Sequence, residues 1–113
     1  MNAPTLDSMI QCAEQIPQIR KSDLRPGDIC FVKTLNSTYR IRVESHGKYE
    51  VSGGWFSKKG LDGCKTTIAG CTWGGSVIKT DIVAACGLCL EFGNRVITST
   101  IQKVILFRSC SVN

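Results

Sequence analysis

From Tyr39 to Glu44, apolar and charged side chains take alternate places: Tyr39, Ile41 and Val43 against Arg40, Arg42 and Glu44. A repeat of two matches the pleat of a β-strand, with one face dry and the other wet. It places Arg40 and Arg42 together on the wet face. The same period recurs through much of the chain beyond Pro17, so a helical bundle or a coiled coil is excluded. Strands are expected over residues 29–33, 39–44, 48–51 and 66–69, then, after Val77-Ile78 opens the last third, over 82–90 running on to 92, over 96–100 and over 104–108. That is about seven short strands. His46-Gly47 and Gly93-Asn94 serve as hairpin tips. The nearly unbroken apolar run over residues 82–90 reads as a strand buried on both faces. Glycines crowd residues 52–76 and mark bends, bulges and loops there.

Ahead of the strands, Leu6, Met9, Ile10, Ala13 and Ile16 recur at three- and four-residue spacing. This predicts one short helix over residues 5–16, stopped by Pro17. It is too short to stand alone and must dock. Leu24-Arg25-Pro26-Gly27-Asp28 is a turn: Pro26 presets φ and Gly27 accepts a positive one. Leading straight into an apolar strand, it is similar to the opening turn of SH3-like barrels. The resemblance covers five residues and implies fold only. The expected fold is mainly β: a small antiparallel barrel, SH3-like or related, with one short N-terminal helix. All 113 residues form one domain, with the helix at 5–16, the barrel at 24–108 and a loose tail at 109–113. A chain of this length buries roughly 65% of its extended surface, enough for one core.

Fourteen Lys+Arg against nine Asp+Glu give a net charge of +5. The excess is uneven. Residues 1–32 hold three basic and four acidic side chains, whereas residues 33–113 hold eleven and five. A basic bias of this size suits an anionic partner. The seven cysteines are an odd number, which argues against a complete disulfide framework. The first residues lack the basic start and apolar run of a signal peptide. No run approaches the ~18 apolar residues that span a bilayer. Reduced thiols, a cytoplasmic location and no membrane are therefore expected.

Two constellations could carry chemistry. Gly53-Gly54-Trp55-Phe56-Ser57-Lys58-Lys59 and the stretch from Lys65 to Trp73 set aromatics among glycine and lysine. Single-strand binders combine such groups, because bases stack on rings and phosphates pair with cations. Arg40, Arg42, Trp55, Lys58, Lys59, Lys65 and Trp73 are therefore the candidate contacts to nucleic acid or an acidic protein. The bland alternative has each indole filling the core or covering an end, and the lysines solvated. In the second constellation, Cys86-Gly87-Leu88-Cys89 has the spacing of a zinc knuckle, with Cys64 and Cys71 as a second pair. The strand-like apolar flanks favour buried free thiols instead, so no cofactor is expected, with zinc as the alternative. The hydroxyls at Thr66, Thr67, Ser76, Thr80 and residues 98–100 have no visible base. His46 is the lone histidine. Asp62 and Asp81 stand in turns. No phosphate-binding loop or dinucleotide fingerprint is present.

The reading is a non-catalytic binding module with a basic face. The runner-up is a protein–protein or homodimer module. It would use an apolar edge strand, at residues 104–107 or 82–90. The third is a small zinc-stabilised domain.

Overall fold

The computed structural model describes residues 13–73 and 77–109. The described residues form eleven strands: β1 (Ala13–Gln15), β2 (Gln18–Arg20), β3 (Ile29–Thr34), β4 (Thr38–Val43), β5 (Tyr49–Gly53), β6 (Cys64–Thr66), β7 (Ile68–Trp73), β8 (Val77–Lys79), β9 (Ile82–Ala85), β10 (Cys89–Phe92) and β11 (Ile97–Phe107). Among the described residues there is one α-helix, the five-residue α1 (Gly54–Lys58), and one 3-10 turn at Lys21–Asp23. All pairings are antiparallel. The main sheet runs β6-β5-β4-β3-β11-β10-β7-β8, with β1 added to β11, and β2 pairs with β9 apart from it.

The protein is thus mainly β, as the alternation requires, but among the described residues no closed barrel is found: the ladder order is an open path from β6 to β8. The sheet nonetheless curls around one core. Tyr39 on β4 and Phe92 on β10 bring their rings to 5.7 Å, and Phe56 of α1 meets Phe92 at 5.0 Å. Val32, Ile41, Val51, Leu90, Val104 and Leu106 fill the space between. Each such side chain contributes about 1.5–3 kcal/mol by leaving water.

The helix expected at 5–16 needs a correction. Residues 5–12 lie outside the described residues. Ala13–Gln15 form β1, opposite Phe107, Leu106 and Ile105. The same three residues of β11 pair with β3 on the other edge. The remaining edge presents N–H and C=O groups that require partners, and this tertiary demand overrides a short helical periodicity. The Ile16 amide extends the ladder by donating to the Val104 carbonyl at 3.1 Å.

The run at 82–90 is also two strands. β9 is wholly buried, as expected, but a turn at Cys86–Leu88 separates it from β10. Conversely, the two strands expected after residue 96 are one. A register shift between Ile101 and Lys103 resets the phase inside β11. Gln102 and Lys103 both face water, and Ile101 and Val104 both face the core.

The turn before β3 forms as read. Asp28 N–H donates to the Arg25 carbonyl at 3.0 Å, and Gly27 sits at φ 96°. Its Asp28 side chain is buried. It accepts from the Arg25 amide at 3.0 Å, the Ser109 amide at 2.7 Å and Arg108 Nη1 at 3.3 Å. Ser109 was expected in a loose tail, but it is anchored here. Residues 110–113 lie outside the described residues.

Candidate functional site

Strand register assembles the site. On β3, Cys30, Val32 and Thr34 point inward, so Ile29, Phe31 and Lys33 point out. On β4, Tyr39, Ile41 and Val43 point inward, so Arg40 and Arg42 point out. Beyond its bulge, β11 turns Lys103, Ile105 and Phe107 outward. The ladders set these side chains in rows. Thr38, Lys33 and Lys103 form one row, and Ser52, Arg40, Phe31 and Ile105 the next. The third is Lys65, Glu50, Arg42, Ile29, Phe107 and Ala13. Neighbours within a row are about 5 Å apart, and rows about 7 Å apart.

The result is a divided face. Its β4–β6 side is charged and its β3–β11 side is apolar, with Lys33 and Lys103 closing one end. Phe31 and Phe107 meet edge to face, with centroids 5.5 Å apart at 74°. A shallow depression of about 370 Å³ lies beside them, lined by Phe31, Lys33, Thr38, Lys103, Ile105 and Phe107. Arg40 Nη1 stands 4.0 Å from Glu50 Oε1, and Arg42 Nη1 3.7 Å from Glu44 Oε2. Both guanidinium side chains remain 41–49% exposed, so these pairs are loose and screened. Five cations, Lys33, Arg40, Arg42, Lys65 and Lys103, face two carboxylates, Glu44 and Glu50.

Of the seven expected contacts, Arg40, Arg42 and Lys65 share this face. The others lie elsewhere. Trp55 packs against the core and meets Phe56 at 5.2 Å. Its chain position follows from the two glycines before it. A Cβ on Gly53 would stand 2.2 Å from the Thr38 carbonyl oxygen, and one on Gly54 2.3 Å from the Tyr39 ring. The glycine pair lets β5 turn into α1 directly over Tyr39. Lys58 and Lys59 are exposed where α1 ends. Asp62 fastens that loop, its carboxylate accepting from Ser57 Oγ at 2.7 Å and the Gly53 amide at 2.9 Å. These two bonds hold its pKa below the usual carboxylate value. Trp73 is 52% exposed at the end of β7. Its ladder partner is Val77, and the Lys79 ammonium lies 5.1 Å from its ring centroid.

Phe31, Lys33, Lys103, Ile105 and Phe107 were missed. Parity of position could have found Phe31 and Lys33, since they fall opposite Cys30 and Val32. The unbroken apolar run from 29 to 32 concealed that phase, and the β11 bulge concealed the phase of Lys103.

Of the described cysteines, Cys71 and Cys89 lie on the paired strands β7 and β10, and Cys30, Cys64 and Cys86 stand on other elements. Cys71 is fully buried on β7, its thiol donating to the Val83 carbonyl at 3.5 Å. Burial pushes its pKa up to about 11 and that of Cys30 to about 12, so both stay neutral thiols. Cys64 starts β6, Cys86 lies in the turn after β9 and Cys89 begins β10. Among the described residues, no three His, Cys, Asp or Glu side chains form a group able to hold a metal ion. The hydroxyls of Thr34 and Ser99 bond each other at 2.8 Å and brace the β3–β4 turn against β11. Neither strand expected as an apolar edge is one at the positions named. Residues 104–107 lie in the centre of the sheet, and β9 is buried. Among the described residues the ladder path ends at β6 and β8, and β8 is the end with exposed apolar side chains, Val77 and Ile78 being 54% and 41% accessible. Among the described residues, no helix is long and apolar enough to cross a membrane. Compared with protein-family models, curated proteins and solved structures, the chain matches none.

Proposed function

We propose that this protein is a non-catalytic binding module whose outward sheet face contacts nucleic acid. One observation carries the reading. Lys33, Arg40, Arg42, Lys65 and Lys103 come from four strands onto one face, around the half-buried rings of Phe31 and Phe107. Cations alone would suit an acidic protein equally. The rings favour nucleic acid, because every base offers a π face to stack on.

The frame for this face is, in the same reading, a small SH3-like or related barrel. It is supported by the single residue, Thr67, between β6 and β7, which carries the chain from beside β5 to beside β10.

Gel shift with short oligonucleotides at two salt concentrations tests the function. Five phosphate contacts predict that log K falls with log salt at a slope of about −3 to −5. Arg40→Glu with Arg42→Glu abolishes the shift and leaves the melting temperature within a few degrees. Absence of binding at low salt overturns the reading. Capture of a polyglutamate peptide but of no oligonucleotide assigns the face to an acidic protein.

A second reading rests on β8. Trp73, Val77 and Ile78 expose apolar surface at a sheet edge, the arrangement that accepts a strand from another chain. Light scattering across a hundredfold concentration range tests its homodimer form. A constant monomer mass removes that form.

A further inference from the structure

We infer that the nucleic acid taken by this face is single-stranded and lies along β3 and β4, its phosphates on the arginine side and its bases on the phenylalanine side. This rests on the nucleic-acid reading above and adds what kind of nucleic acid, and in which direction. The argument begins with the division of the face. Across the strands, the order is Lys65, Glu50, Arg42, Ile29, Phe107 in one row and Ser52, Arg40, Phe31, Ile105 in the next. Over these two rows the boundary between charge and hydrocarbon runs parallel to the strands, between β4 and β3; in the remaining row, Thr38, Lys33 and Lys103, the charge crosses to the β3–β11 side and ends the apolar strip.

A duplex has no complement for such a boundary. Its outer surface is phosphate and sugar, with the bases stacked inside, so the apolar half would lie against charge. A single strand is amphipathic along its length, with a charged backbone on one side and unstacked bases on the other. Arg40 and Arg42, at i and i+2, stand roughly 7 Å apart along β4, commensurate with the phosphate repeat of an extended strand. Beside them lie Phe31 and the depression of about 370 Å³ that it shares with Ile105 and Phe107. Because Phe107 meets Phe31 edge-on, the two rings form one corner rather than two parallel platforms. The face therefore holds one principal stacked base there, and Lys33 and Lys103 take a phosphate at the end of the path.

Fluorescence anisotropy with a labelled oligothymidylate eight-mer, a labelled GC-rich hairpin duplex of eight base pairs, and inorganic polyphosphate tests this at low salt. The expected result is at least tenfold tighter binding to the single strand than to the duplex. Phe31→Leu keeps the apolar volume and removes the ring. It is expected to weaken the single strand about tenfold and leave duplex and polyphosphate unchanged. Phe31→Tyr restores the affinity, which separates loss of the ring from loss of fold. Equal or tighter duplex binding overturns the inference and leaves the nucleic-acid reading standing. So does a Phe31→Leu variant with unchanged single-strand affinity. Failure of both oligonucleotides to bind removes the function itself, and the inference with it.

Discussion

One sheet separates two aromatic groups of similar make-up and opposite circumstance. On its inner side Tyr39, Phe56 and Phe92 meet at 5.0–6.4 Å, with Phe56 and Phe92 fully buried. On its outer side Phe31 and Phe107 meet at 5.5 Å with half of their surroundings open and lysines beside them. The ring contacts are alike in distance and largely in angle. What differs is what closes the remaining sides: hydrocarbon within, and water, Lys33 and Lys103 without. The inner group therefore serves cohesion. The outer group leaves apolar area unburied, and that area is available to a partner.

Substitutions should separate the two sides cleanly. The largest effect belongs to Ile41→Asp, which places an unpaired carboxylate at a fully buried position of β4. No cooperative unfolding transition should remain by circular dichroism. An unchanged melting temperature would mean that the phase of β4 is opposite to that described. Phe92→Ala follows, at a cost of about 3–5 kcal/mol in urea titration, because the cavity lies among rings that cannot all collapse into it. Phe31→Ala, the outer counterpart, should cost about 1 kcal/mol or less, since its ring is only half-buried. If the outer substitution costs as much as the inner one, Phe31 is a core residue and the comparison fails.

Alkaline pH probes the inner side differently. Cys30 and Cys71 have their pKa raised to about 12 and about 11 by burial, against about 9 in the unfolded chain. Above pH 9 the unfolded state loses these protons and the folded state keeps them. Stability is therefore full below pH 9 and declines as pH rises towards 11–12, by up to about 1.4 kcal/mol per pH unit for each thiol. Cys71→Ala should flatten that decline in melts between pH 8.5 and 10.5. An identical slope would show that the thiol ionises freely in the fold.

The smallest effect refines the outer side. Glu50 stands 4.0 Å from Arg40 and is the ladder neighbour of both Arg42 and Lys65. Glu50→Gln removes the competing carboxylate and should tighten oligonucleotide binding about two- to fivefold with little change in stability. Weaker binding would instead mean that Glu50 is needed to position the guanidinium group.

The partial legibility of the site has a physical cause. Arg40 and Arg42 were readable because β4 alternates without interruption, and its pleat alone decides which side faces water. Trp55 was misleading for a reason local to it. Glycine beside an indole suits both an open platform and a tight bend, and only the contact with Tyr39 and Phe56 selects the bend. Lys58 and Lys59 follow the helix that this bend creates. Phe107 could not be placed beside Phe31 from the chain alone, since nothing local states that β11 pairs with β3.

By itself, the order of residues determined the β class, the turn at residues 25–28, the hairpin tip at His46-Gly47 and the outward direction of Arg40 and Arg42. These depend on φ preferences and on a two-residue repeat, both of which act within a few positions. Only the tertiary structure decided that Ala13–Gln15 would extend a sheet, that β11 would carry a bulge and remain one strand, and that the aromatic corner would adjoin the arginines. Those outcomes depend on which backbone edges need hydrogen-bond partners and which hydrophobic faces meet, and both are properties of the assembled sheet.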